Sequence, residues 1–221
     1  MRYLPVACLL LWSTISIGQQ YVDSNDPREI KSLLSKENDL NGFGGGDLKI
    51  TDFGGERAMV LGGYGGILVN RRFMLGVAGY GIATNPEFVG TLPPGLLPDS
   101  PANNADRNLT INGGYAGLTL GGIIFTRELV HLTIPVIVGA GEIQISDEDF
   151  FQNSTDTDFT IERSTFFVVE PGAQVEFNFT SSFRVAVGAS YRWIQGLELS
   201  NLRDDDLSNF AGTLSLRFGR F

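Results

Sequence analysis

The chain is poor in the residues that carry most catalytic and redox chemistry: one cysteine and one histidine in 221 residues. Cys8 lies within a segment that reads as a cleaved leader, so the mature chain has no thiol chemistry, no disulfide and no cysteine metal site. A lipidated Cys8 is disfavoured, because the apolar run follows it instead of preceding it. No internal run of about 20 apolar residues is present, which excludes a membrane-spanning helix. Lys and Arg number 16 against 25 Asp and Glu, and a formal charge of -9 argues against nucleic-acid binding. Mean hydropathy is near zero. That value suits a soluble protein, and equally a barrel in which only alternate residues face lipid.

What the chain does have is glycine, 28 residues of it, and a regular alternation of short and long connections. From about Phe43 to Phe221, eight strand-like segments are joined alternately. Tight links fall at Asn70–Arg72, Thr126–Glu128 and Thr180–Ser182. Long polar links fall at about Asn85–Arg107, Ser146–Arg163 and Gly196–Leu207, with a shorter one at Gly54–Glu56. In an up-and-down antiparallel barrel every second connection shares a rim. All tight turns then lie on one side, as periplasmic turns do in outer-membrane barrels.

The N-terminus reads as a secretory signal over 1–18: Arg2, the apolar stretch Val6–Trp12, then small residues at Ser16 and Gly18, with a mature start near Gln19. Residues 19–42 form a periplasmic segment with a short helix. Asp26 can cap it, Pro27 fits its first position, Glu29 completes a capping box, and Ile30, Leu33 and Leu34 give an apolar stripe. Residues 43–221 form the barrel.

The strand phases are clearest toward the C-terminus. In Phe183–Ile194 the odd positions are apolar and the even ones include Arg184 and Arg192. Arginine against lipid near the midplane costs roughly 2–4 kcal/mol, so the odd set faces out. In Thr165–Phe179 the same reasoning places Glu170 and Glu176 inside. A link at Thr180–Ser182 pairs Phe179 with Phe183, which sets Glu170 opposite Arg192 and Glu176 diagonal to Arg184. In the last segment Phe210, Leu214, Leu216 and Phe218 face one way, and Asn209, Thr213, Ser215 and Arg217 the other. In Leu129–Ile143 the residues Val130, Leu132, Ile134, Val136 and Val138 share a face, and Pro135 suggests a bulge. Ala58–Val69, Phe73–Ala83 and Leu109–Phe125 are glycine-rich strands of ambiguous phase. Two aromatic belts complete the pattern. One flanks the tight turns (Phe73, Phe125, Phe179, Phe183, Phe218). The other lies toward the long loops (Tyr80, Phe150, Phe151, Phe166, Phe167, Tyr191, Trp193, Phe210).

The C-terminal strand Gly212–Phe221 and the glycine-rich stretches Gly42–Gly46 and Leu61–Ile67 resemble those of small eight-stranded outer-membrane β-barrel proteins of Gram-negative bacteria, in an uncharacterised porin-like family. The resemblance implies an outer-membrane location, contact with outer-membrane lipid and lipopolysaccharide, and handling by the barrel-assembly machinery. It implies an assembly signal at Phe218 and Phe221, although Phe221 is out of phase with Phe218. It brings no catalytic residue and no cofactor.

The residues that carry charge into the lumen are Asp47, Lys49, Glu170, Glu176, Arg184, Arg192 and Arg217. Three acids against four bases in a narrow interior read as a closed ionic network. The single histidine, His131, falls near a tight turn, a membrane thickness from the outer leaflet, so no His-based triad can be assembled there. The loop acids Asp147–Asp149, Asp156, Asp158 and Asp204–Asp206 could offer oxygen ligands to calcium, but without EF-hand spacing they read as solvated loops. The expectation is therefore an all-β, eight-stranded antiparallel up-and-down transmembrane barrel with a short N-terminal helix. Its expected role is structural or adhesive and non-enzymatic. The alternatives are a narrow pore for small solutes and a soluble, lipocalin-like periplasmic binder.

Overall fold

The computed structural model describes residues 39–93, 105–125, 128–147 and 160–221. The signal segment, the helix start at Asp26, Phe150, Phe151 and the acids at 148, 149, 156 and 158 lie outside the described residues.

The described residues form ten strands: β1 (Leu40–Phe53), β2 (Glu56–Val69), β3 (Phe73–Ile82), β4 (Glu87–Gly90), β5 (Arg107–Ile124), β6 (Val130–Ser146), β7 (Thr160–Asn178), β8 (Phe183–Tyr191), β9 (Trp193–Gln195) and β10 (Phe210–Gly219), with a one-turn helix α1 (Asp204–Leu207). Eight of them close a ring. β1, β2, β3, β5, β6, β7, β8 and β10 pair antiparallel in that order, and β10 pairs back onto β1 from Phe43↔Gly219 to Ile50↔Gly212. β9 continues the β8 wall past Arg192, and β4 adds to the upper end of β5.

Short connections at both rims follow from local chemistry. Phe53 pairs with Glu56, and the two residues between them, Gly54 and Gly55, have φ of 59° and 90°. That is the two-residue hairpin in which glycine meets no Cβ penalty. At the opposite rim Asn70 and Arg71 have φ of 53° and 56°. Asn70 suits the left-handed region; Arg71 adopts it under the constraint of the flanking ladder.

β7 and β8 pair with Val175 opposite Val187 and Asn178 opposite Arg184, and Phe179 and Phe183 meet across the turn at 3.1 Å (N–H to C=O). Leu118, Val138, Val187 and Leu216 face outward and are exposed, whereas Arg184, Glu170, Glu176 and Arg217 face inward and are buried.

Two details differ from expectation. Pro135 causes no bulge: β6 stays in one register on β7 from His131↔Glu176 to Ile137↔Glu170, and the ladder merely skips Ile134 and Pro135. Glycines on both sides accommodate the ring, with Gly121 paired to Pro135 on β5 and Gly172 beside it on β7. The register shift sits instead at Ile145/Ser146, near the long loop. In addition, Tyr80 and Phe166 leave the outer belt. Both rings are buried inside, because each sits on the inward phase of its strand.

Strands β5, β6 and β7 run 18, 17 and 19 residues, well beyond the roughly 9–11 that a membrane requires. Their upper ends therefore project past the lipid. The outward face records the exit: Val138 on β6 and Phe167 on β7 are exposed apolar residues, whereas Glu142 and Arg163 above them form a surface ion pair at 3.5 Å.

Candidate functional site

The interior has two chemically distinct halves. In the half nearer the tight turns, Glu176 is the hub. Arg217 and Arg184 both pair with it, the latter at 3.3 Å, and Thr133 donates to it at 2.6 Å. Arg217 also donates to the Tyr64 hydroxyl at 3.0 Å, which is hydrogen-bonded to Ser215 at 2.7 Å. Ser215 and Tyr80 in turn donate to Asp47. The Tyr80 ring then lies under the Lys49 ammonium, 3.5 Å from its centroid. Lys49 closes the chain on Glu170 at 2.6 Å, and Glu170 also accepts from Ser190 and Tyr115. Buried charges persist only when paired in this way.

Of the seven side chains assigned to the lumen from sequence, six belong to this connected network. Arg192 does not. It lies higher, donating to the carbonyls of Leu207 (3.0 Å) and Asp52 (3.3 Å), with its guanidinium 4.0 Å over the Phe53 ring. The expected Glu170–Arg192 ion pair is thus not formed. Glu170 is taken by Lys49 from the other wall, because an eight-stranded lumen is narrow enough for side chains to meet across it. Glu176 and Arg184 do meet, on their diagonal.

The upper half is apolar, which sequence reasoning missed. Phe53, Val60, Leu109, Ile111, Ile143, Ile145, Phe166, Val168 and Ile194 fill it, and Leu202 and Leu207 from the last long loop close the top. The signal was in the strands. Above Ala140, β6 reads Glu142-Ile143-Gln144-Ile145, with the polar residues now outside and the apolar ones inside. Polarity changes faces while the phase is unbroken.

The loop closure is built by hydrogen bonds. Asp204 accepts from Leu197 N–H at 2.8 Å, Asp206 from Arg203 N–H at 2.8 Å, and Gly54 N–H donates to the Asp206 carbonyl at 3.0 Å. Two of the three acids at Asp204–Asp206 are therefore engaged by backbone N–H groups, Asp206 as a helix cap and Asp204 within the loop, and among the described residues no cluster of His, Cys, Asp or Glu is arranged to hold a metal. Asp147 pairs with Arg107. His131 is buried near the tight turns, with Nδ1 2.7 Å from the Phe125 carbonyl.

The two proposed assembly residues separate. Phe218 is exposed on the outer wall, packed on Phe183 at 4.9 Å between ring centroids. Phe221 turns inward at the lower mouth, its ring 3.8 Å from the Arg184 guanidinium.

Among the described residues, the spaces inside the barrel include one of about 30 Å³ beside Lys49 and Gln174 and one of about 10 Å³ beside Phe53 and Arg192, each with room for a few waters at most. The largest concavity among those described, about 760 Å³, lies outside the lumen, between the β1–β2 turn, β4 and Asn201.

Searches with family models and against curated proteins give no match. Solved structures similar to the chain include the N-terminal β-barrel domain of Pseudomonas aeruginosa OprF (12% identity, 81% of this chain and 96% of that one, TM-score 0.47). The attachment invasion locus protein Ail of Yersinia pestis is similar at 15% identity (81% and 97%, TM-score 0.41). So is the outer membrane protease OmpT of Escherichia coli at 10% identity (85% and 100%, TM-score 0.41). One is an attachment protein and another a protease, and at these identities neither activity carries over. The closed ring, the exposed apolar outer wall and the charged interior stand on their own: the chain is an eight-stranded transmembrane β-barrel of the outer-membrane type.

Proposed function

We propose that the protein is a non-conducting outer-membrane barrel that acts through its external surface, in a structural or adhesive role, with its tight turns toward the periplasm. The observation that carries this reading is the filled interior. Paired charges occupy the lower half, an apolar core occupies the upper half, and the gaps between them admit only water. Chemistry inside is disfavoured by the same packing, since every carboxylate of the network is already held by a base or a hydroxyl. What remains open to the outside is the projecting rim and its loops, where rigid scaffolds place variable contacts.

Planar-bilayer recording on the purified barrel tests the proposal. No sustained conductance is expected. Stable channels whose selectivity changes on replacing Lys49 or Glu170 would overturn it in favour of a narrow pore.

A further inference from the structure

Above the membrane the wall of the barrel has a seam. β3 ends at Ile82, where it pairs with Val60, and higher up its place against β5 is taken by β4, from Glu87↔Thr110 to Gly90↔Arg107. β2 continues upward to Glu56, paired there with β1 alone among the described strands. The large concavity lies between these two strands, with Glu56 and Arg57 on one side and Glu87 and Val89 on the other.

Among the described residues, both sides of the seam are open strand edges. In an antiparallel ladder, the N–H and C=O of alternate residues point to the same edge. On β4, the Pro86 carbonyl accepts from Ile111 N–H at 2.9 Å, so residues 86, 88 and 90 face β5. Residues 87, 89 and 91 face away from it. Thr91 on that free edge is satisfied by one side chain: Asn201 Oδ1 accepts from its N–H at 3.1 Å, and Asn201 Nδ2 donates to its C=O at 2.7 Å. Asn201 thus makes the pair of bonds that a neighbouring strand would make. The next two positions on the edge, Val89 and Glu87, have no backbone partner there among the described residues. On β2, Met59 N–H donates to Thr84 Oγ1 at 3.1 Å and its C=O accepts from Ala83 N–H at 2.8 Å. Arg57, two residues higher, turns its N–H and C=O into the same seam beyond the end of β3.

We infer that this seam is a strand-addition site for an extended peptide segment of a partner protein, seated against the Glu87–Val89 edge of β4. The inference rests on the proposed external-surface role and names the class of partner. Unpaired strand edges are templates for a further strand, and main-chain bonds supply much of the affinity in such complexes. The surroundings specify the sequence. Phe88 and Leu202, which pack with the upper apolar core, flank the seam on its inner side, so alternate residues of the guest are apolar. Glu56, Glu87 and Asp206 outnumber Arg57 in the lining, so the remaining guest residues are basic.

The test uses the full barrel in nanodiscs and the peptide acetyl-Lys-Val-Lys-Val-Lys-Val-amide, with controls N-methylated on either the valine or the lysine amides. Saturable binding of the unmodified peptide is expected, weakened about tenfold or more by at least one methylation pattern, which removes several ladder bonds. Val89→Pro deletes an N–H on the free edge and leaves the β5 ladder intact; it should weaken binding about three- to tenfold. Val89→Thr, which keeps the N–H, should bind like the parent, and heat-modifiable gel migration verifies that both variants are folded. The proposal is overturned by absence of saturable binding, by equal binding of Val89→Pro and both methylated peptides, or by strong exchange protection of the Val89 amide in the free protein. In the last case another segment of the chain already occupies the edge. Peptide bound elsewhere on the loops would remove the seam and leave the surface role standing, whereas a conducting barrel would remove that role itself.

Discussion

Lys49 reaches across the lumen to Glu170 at 2.6 Å, while Arg192, which the β7–β8 register extended upward would place opposite Glu170, turns away to two backbone carbonyls. The two basic residues therefore differ in what their loss leaves behind. Lys49→Met strands a buried carboxylate and should destabilise the barrel by about 3–5 kcal/mol in urea titrations. Glu170→Gln combined with Lys49→Met should cost much less than the two single changes summed. Additive effects in that cycle would show that the two groups do not interact.

Removing Arg192 strands no ion-pair partner and leaves the Leu207 and Asp52 carbonyls and the Thr51 hydroxyl short of a donor. Arg192→Ala should cost about 1.5–3 kcal/mol, the range for hydrogen bonds made by a charged group. Its main effect should be on the loop at Leu207, which the guanidinium ties to the β1–β2 hairpin at Asp52. Limited proteolysis is the measurement: cleavage within 196–209 should accelerate while the barrel fragment stays intact. Unchanged loop cleavage would mean that the apolar contacts of Leu202 and Leu207 hold the closure alone.

The membrane boundary can be mapped on adjacent strands. Leu118 is 58% exposed on the outer wall, opposite Val138. Leu118→Arg should cost roughly 2–4 kcal/mol in lipid vesicles, as a charge does near the midplane. Gln144→Arg, on the same outer face but above the exit, should be near neutral. Equal penalties at the two sites would place the lipid higher than the change of polarity indicates.

Glycines divide by the space around them. A Cβ at Gly139 would stand 2.1 Å from the Ala116 carbonyl oxygen, whereas at Gly46 its nearest neighbour would be 3.6 Å away. Gly139→Ala should cost about 1–3 kcal/mol through overpacking and lower the yield of heat-modifiable barrel; Gly46→Ala should assemble normally. A normal yield for Gly139→Ala would show that the β5–β6 ladder can spread.

How much of this was legible in the sequence depended on charge. β7 and β8 could be phased because Glu170, Glu176, Arg184 and Arg192 cannot face lipid, and their register then followed from a three-residue turn. β2, β3 and β5 are mostly glycine and small apolar residues, which leaves their phase open, and Tyr80 lies inside instead of in the outer belt. The Lys49–Glu170 contact was not legible at all. Strand pairing relates neighbours, whereas contacts across a lumen depend on the tilt and shear with which the ring closes. The apolar upper half was written in β6 and β7, but only as a reversal of pattern within a single strand, and a search for one hydrophobic face per strand passes over it. Pro135 misled for a different reason: proline forfeits one N–H, and here the ladder absorbs that loss without inserting a residue.

The change of polarity partway along β6 and β7 means that each strand carries two solvent codes in one phase. Below Ala140 lipid selects the outward set; above it water does. A slip of one residue between β6 and its neighbours would turn Thr133 and His131 toward lipid at one end, and Ile143 and Ile145 toward water at the other. The two errors occur in different media and cannot offset each other. An agent that weakens only one medium's preference, such as a mild detergent or a chaotrope confined to the aqueous side, therefore leaves the other half of the strand still enforcing the native pairing.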